Sequence, residues 1–165
     1  MSSPLTAKQP TISELMRNLP QQGKVEWLSI RIKKRSPVQQ VERVTVNSVG
    51  LEGDHYAGRS GNRSITLIQQ EHLSVIASLL HREKIDPALL RRNIVVSGIN
   101  LLALKDREFM IGTAVLGMTG LCHPCSRMEQ ILGEGGYNAM RGHGGINARV
   151  VTPGIIRRGD MVKAI

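Results

Sequence analysis

The chain has 165 residues and a formal net charge of +9, with 41% apolar, 21% charged and only 2% aromatic residues. That length suits one domain able to bury its own core, and a near-average apolar fraction excludes global disorder. Two cysteines exclude a secreted disulfide framework. No run is apolar enough to cross a bilayer, and the cationic surplus points to an anionic partner without naming it.

In chain order, residues 1–10 read as a disordered start with no apolar core of a signal peptide, consistent with a soluble cytoplasmic protein. Thr11 and Glu14 have capping-box spacing, and Ile12, Leu15, Met16 and Leu19 give one apolar face. A short helix ending at Pro20 is expected. The alternating segments 24–32 ("KVEWLSIRI") and 41–46 ("VERVTV") predict strands. Residues 50–63 ("GLEGDHYAGRSGNR") form a polar, glycine-rich loop of a length that usually carries function. A strand over 64–69, a helix over 70–81 and a helical turn started by Asp86-Pro87 follow. Segment 93–98 is a strand. Segment 108–120 is two strands or one bent by glycine, and the tail 147–165 is a strand, a Pro153-Gly154 turn and a final strand. Many short strands with few helices predict an α+β, mostly β, barrel-like domain over residues 21–165, preceded by a 1–20 tail.

The chemistry gathers near the C-terminus. Cys122-His123-Pro124-Cys125 is a CxxC, open to four readings: half of a zinc site, a dithiol redox pair, two small core residues, or one reactive thiolate beside an inert partner. A zinc site lacks a second pair of thiols, and the residues behind the motif do not follow a thioredoxin-like pattern. With Pro124 opening a helix, Cys125 becomes its second residue, close to Arg127, and both the helix end and the guanidinium favour thiolate. Cys122 then closes a strand and is buried.

Segment 133–146 ("GEGGYNAMRGHGGI") matches neither a Walker loop nor a dinucleotide-binding fingerprint, yet its glycines, with Arg141 and His143, suit an anion. A mobile surface loop is the competing reading. Arg91, Arg92 and Asn93 stand just before a strand, placed either to fork onto a phosphate or to face solvent. The run Arg31, Lys33, Lys34 and Arg35 reads as a solvated strand end. Asp54 and His55 are catalytic or merely cap a turn.

Four stretches taken in order, "GLEGDHYAGRSGNRSITLIQQEHL", "LLRRNIVVSGINLLALKDREFMIGTAVL", "GLCHPCSRMEQ" and "GHGGINARVVTPGIIRRGDMV", make the chain resemble the MOSC family, named for the C-terminal domain of molybdenum cofactor sulfurases. The likeness covers about residues 25–163. It implies a β-barrel-like fold and a pocket for the molybdopterin form of the molybdenum cofactor, with Cys125 as the metal's thiolate ligand. It also implies that Arg91 and Asn93 hold the pterin and its phosphate, with Asp54, His123, Arg141 and His143 nearby. The family's "GDRH" reads "GDHY" here, so His55 and Tyr56 depart from the pattern while Asp54 is kept. The pyridoxal-phosphate desulfurase half of a full sulfurase is not expected, which makes this a stand-alone domain.

Three functions compete. One is a molybdenum-dependent reductase of N-hydroxylated small molecules, fed by a separate electron-donor reductase. Another is a sulfur carrier with a Cys125 persulfide, loaded by a cysteine desulfurase. The third, nucleic-acid binding, fits the charge but not the scarcity of aromatics. No membrane partner is expected.

Overall fold

A computed structural model describes residues 8–59 and 61–165, so most of the start read as disordered, residues 1–7, lies outside the described residues. The capping box forms as expected: the Thr11 hydroxyl accepts from the Glu14 amide at 3.2 Å, and the Glu14 carboxylate accepts from the Thr11 amide at 2.7 Å. Helix α1 is nevertheless only Ile12–Arg17, and its C-cap Asn18 stops it before Pro20. Ile12, Leu15 and Met16 stay exposed; of the expected apolar face, Leu19 alone packs on the core.

Strand β1 (Gly23–Ile30) is followed by β2 (Gln39–Gln40), β3 (Arg43–Asn47), β4 (Gly50–Leu51) and β5 (Ile65–Gln69). Helices α2 (Gln70–Leu79) and α3 (Pro87–Leu90) lead to β6 (Ile94–Ser97), and a 3-10 turn at Leu101–Leu104, which the sequence did not suggest, leads to β7 (Glu108–Ile111). Strand β8 (Ala114–Leu121) precedes α4 (Ser126–Leu132) and α5 (Gly136–Met140). Strands β9 (Ile146–Thr152), β10 (Gly154–Arg157) and β11 (Met161–Ala164) finish the chain. Segment 108–120 is thus two strands, turned at Gly112 with φ 57°. The tail holds three strands where two were expected, because Gly159, at φ 90°, makes a second turn.

Seven strands close a barrel in the order β11-β7-β8-β9-β5-β6-β1, sealed where Gly23 and Lys24 of β1 meet Val162 and Met161 of β11. The expected mostly-β, barrel-like fold with a few short helices is the one found. All barrel pairings are antiparallel except β5 with β6, whose parallel register (Leu67 opposite Ile94) needs a crossover. Helices α2 and α3 make that crossover. A small sheet, β10-β3-β4, adds Val44, Val46, Leu51 and Ile156 to the barrel core.

The period of two then sorts the side chains. Ile65 and Leu67 of β5, with Ile94 and Val96 of β6, point into the barrel. Ile68 and Val95 point outward, under a second apolar cluster made with Ile76, Leu90, Met128, Leu132 and Met140 from the helices. A strand buried on both faces reads as an unbroken apolar run, which is why "NIVVSG" was legible.

Glycines at the end of the α5–β9 connection do a packing job. A Cβ on Gly145 (φ 87°) would overlap the Leu67 carbonyl oxygen, and one on Gly144 would overlap that of Cys122. The Gly145 carbonyl in turn accepts from the Cys122 amide at 2.8 Å. These two glycines therefore let the chain lie backbone to backbone against both β5 and the cysteine segment. Gly145→Ala meets a steric overlap and a positive φ together, and is expected to destabilise the fold by more than about 2 kcal/mol, read as a lowered urea midpoint.

Candidate functional site

At the barrel mouth Cys122, His123, Pro124 and Cys125 run in irregular backbone from the end of β8 into α4. Cys125 is not the second residue of the helix, as the proline spacing suggested. It is the N-cap, extended at φ −129° and ψ 175°, and the helix starts at Ser126. The cause is local: the Cys125 carbonyl already takes the Met128 amide at 2.8 Å, so the first turn closes on Cys125 and leaves Pro124 outside. Its thiol makes no capping bond and is exposed. Cys122 is half-buried; burial pushes its thiol pKa up, only partly offset by Arg92 and Arg63. The two cysteines are therefore unlike: an open thiol beside one held protonated.

Both face a cavity of about 600 Å³, whose walls carry Arg31, Lys34, Arg35, Arg63, Arg91, Arg92 and Arg127 together with Tyr56, Thr66, His123 and Asn147. Among the described residues no carboxylate lines it, and the ion pairs Lys24–Glu26 and Arg158–Glu42 involve none of its cations. The Nε atoms of Arg31 and Arg127 are buried with no hydrogen-bond partner. Burial, then the guanidiniums of Arg31 and Arg127, push the Arg91 pKa down, while Tyr56 and Cys125 push it up. Such a set of uncompensated cations is the environment in which an anion is held by charge-assisted, forked hydrogen bonds.

The residues singled out from the sequence divide. Cys125, His123 and Arg91 line this cavity. Arg91 is aimed there by a left-handed C-cap conformation (φ 60°) that ends α3. Asp54 and Asn93 do not line it; they support it. The Asp54 carboxylate accepts from the Arg31 amide (2.8 Å), the Tyr56 amide (3.0 Å) and the Asn93 side chain (3.2 Å). The Asn93 amide group donates also to the Ser29 carbonyl, and its oxygen accepts from both the Thr66 amide and hydroxyl at 3.0 Å. Every polar atom of that carboxamide is spent inside the protein.

Arg92, offered as a phosphate fork, is a clamp instead. Its guanidinium donates to the carbonyls of Gly144 (2.8 Å), Leu90 (2.9 Å) and Cys122 (3.2 Å). Arg141 is exposed and touches Asn138, away from the cavity. His143 packs edge-on against His72, ring centroids 5.2 Å apart. His72, not His143, lines a second, more apolar cavity of about 170 Å³ between α2, the 3-10 turn and segment 121–124. Burial and then His143 lower the His72 pKa. The glycine-rich stretch is neither an exposed anion nest nor a mobile loop: it contains α5, and its last glycines pack on backbone.

What sequence reading missed is the opposite wall. Arg31, Lys34 and Arg35, read as a solvated strand end, line the cavity, as do Tyr56, Arg63 and Asn147; Lys34 and Arg35 are exposed as expected. Arg31 is buried, and its guanidinium lies 5.0 Å from the Tyr56 ring centroid. The one available signal was that a charge run meets a strand end facing a functional loop. Among the described residues no cluster of three or more His, Cys, Asp or Glu is placed to hold a metal, so zinc at the CxxC has no further ligands there. No helix among them is long and apolar enough to cross a membrane.

A closed seven-stranded barrel whose mouth carries one open thiol in a cationic cleft defines the class. The MOSC domain model matches residues 49–163, and the chain belongs to that family. Its fold is similar to that of the YuaD protein from Bacillus subtilis, with a TM-score of 0.78 and 22% identity over 87% of this chain and 95% of that one. YiiM from Geobacillus stearothermophilus (TM-score 0.72, 16% identity, 87% of this chain and 75% of that one) is also similar. So is YiiM from Escherichia coli (0.67, 18%, 86% and 69%). No curated protein matches the sequence.

Two outcomes are expected. Arg92→Met strips three carbonyls of a charged donor and should cost about 3 kcal/mol in chemical denaturation. Arg91→Met, which breaks no internal hydrogen bond among the described residues, should stay within about 1 kcal/mol of the parent. Separately, Glu129 ties α4 to α5 by accepting from the Tyr137 amide at 2.7 Å and the Gly135 amide at 2.8 Å, which lowers its pKa. A lowered folded-state value means this contribution is fully present above the ordinary glutamate pKa of about 4.3 and is lost as pH falls through the lowered one. Hydrogen exchange at Gly135 and Tyr137 should therefore be unchanged from pH 7 to 5, once corrected for intrinsic rates, and lose protection below about pH 4. In Glu129→Gln that dependence should disappear.

Proposed function

We propose that this protein binds the molybdenum cofactor in the cavity beside Cys125 and reduces N-hydroxylated small molecules there. The observation that carries the reading is a single open thiol in the wall of a cavity that seven cationic side chains and, among the described residues, no carboxylate line. A volume of about 600 Å³ lies in the range of cofactor sites. The donor set also suits a phosphate-bearing group: the orphaned Nε of Arg127 is a buried donor awaiting an acceptor, since leaving it unmade costs free energy.

In this reading the Cys125 sulfur would be the soft ligand to the metal, and its freedom from capping leaves it available. Arg91 and Arg127 hold the cofactor's phosphate. Asn93 and Asp54 are positioning residues that keep Arg31 and the strand ends in place. Cys122, held as thiol by burial, stays out of the reaction. The chemistry a bound cofactor of this kind supplies is two-electron exchange, which with two protons turns an N–OH group into N–H and water. A separate reductase delivers the electrons.

The exposure of Cys125 equally favours a second reading, in which it accepts a sulfane sulfur from a cysteine desulfurase and passes it on as a persulfide. Metal analysis separates the two. Protein made anaerobically in a host that synthesises the cofactor should carry near-stoichiometric molybdenum, lost in Cys125→Ser and kept in Cys122→Ala. Sulfane sulfur on Cys125 without molybdenum would replace the enzyme with the carrier.

A further inference from the structure

The cationic surplus of the cavity is larger than one phosphate group uses. A phosphate monoester carries about −1.5 to −2 at neutral pH, whereas seven cationic side chains line this space and, among the described residues, no carboxylate does. One is consumed by backbone carbonyls, Arg92. Arg91 and Arg127 lie on the Cys125 side. Arg63 lies close enough to Cys122 to act on its thiol. That leaves Arg31, Lys34 and Arg35 on the wall formed by the end of β1 and the turn after it.

This wall is built. The Lys33–Ser36 turn is closed by the Ser36 amide onto the Lys33 carbonyl at 3.1 Å and by the Ser36 hydroxyl, which donates to the same carbonyl at 2.8 Å and accepts from the Lys33 amide at 3.2 Å. Arg35 is held at φ 65°, a conformation that non-glycine residues rarely adopt. Arg31 is only 7% exposed. Its amide is fixed by Asp54 and its guanidinium by the Tyr56 ring, yet its Nε is buried without a partner. A guanidinium donor taken from water and left unpaired is costly unless a ligand supplies the acceptor.

We infer that Arg31, with Lys34 and Arg35 at the rim and Tyr56 as platform, is a second anion subsite that takes a phosphate or carboxylate group carried by the substrate itself. This rests on the proposed use of the same cavity, and it narrows the substrate from any N-hydroxylated compound to an anionic one. The cofactor's phosphate stays with Arg91 and Arg127. The substrate's oxyanion, anchored at Arg31, turns the remainder of the molecule towards Cys125.

Equilibrium dialysis of radiolabelled inorganic phosphate against the full chain tests this. Cofactor-free protein should bind two phosphates per chain and cofactor-loaded protein one. Arg31→Met should remove one in each form, with at least a tenfold loss of affinity, while its molybdenum content equals that of the parent. Lys34→Ala/Arg35→Gly leaves the buried Arg31 in place, and glycine accepts the positive φ. It should weaken the same phosphate several-fold, which keeps the test open if Arg31→Met fails to fold. Competition by acetate as effective as by phosphate assigns carboxylate substrates; competition by phosphate alone assigns phosphorylated ones. Unchanged phosphate binding in the variants overturns the inference, as does loss of molybdenum in Arg31→Met, which would place Arg31 in the cofactor's own site. A single-stranded oligonucleotide that binds far more tightly than phosphate, and is lost in Arg31→Met, overturns it in favour of nucleic acid. The cofactor-free arm decides on this subsite even where no molybdenum is found in the parent, so the two readings fail separately.

Discussion

The carboxamide of Asn93 joins the barrel to its mouth. It stands between α3 and β6, and reaches Ser29 of β1, Thr66 of β5 and Asp54 of the long loop. A buried amide with all its bonding capacity met is cheap to bury and hard to replace, because any substitution strands several partners at once. Asp54 extends the network to the backbone of Arg31 and Tyr56. The position of the cationic wall thus depends on a polar seam that meets the cavity only at Thr66.

Arg92, the neighbouring residue, does the matching work on the other side. Its three carbonyl contacts tie the end of α3 to the cysteine segment and to Gly144. Three consecutive residues therefore have three roles: Arg91 faces the cavity, Arg92 clamps backbone, and Asn93 knits strands. The left-handed turn at Arg91 is what separates the first from the other two. Without it, neighbouring side chains would alternate along an extended chain and place Arg91 and Asn93 on one face.

The asymmetry of the two cysteines has a similar origin. Cys122 is pinned through its amide to Gly145 and through its carbonyl to Arg92, and burial keeps its thiol protonated. Cys125, three residues on, sits where the backbone turns into α4 and has its thiol free. A spacing that suggests a pair of equivalents yields one half-buried anchor and one exposed thiol.

Much was legible in the residues themselves. The alternation in β1 and β3, the double-sided apolar run of β6, the α2 helix and the Thr11–Glu14 cap are local patterns, and each formed where its pattern stood. That Cys122 is the more buried cysteine and that Arg91 lines the cavity could also be read, because a strand end and a basic pair are close in sequence. Which polar residues face the cavity and which hold the scaffold was decided only in three dimensions. Asp54, Arg92 and Asn93 look like site residues in the sequence, and Arg31, Lys34 and Arg35 look like solvated surface. Asp54, Arg92 and Asn93 are instead bound inside the fold by partners some 20 to 60 positions away, and Arg31 is buried while Lys34 and Arg35 stay exposed. The glycines at 144 and 145 resemble an anion-binding loop until the backbone of Leu67 and Cys122 is found pressed against them. Propensity and periodicity act over a few residues, so they set elements. Hydrogen-bond satisfaction and close packing act between elements, so only the closed barrel sets the site.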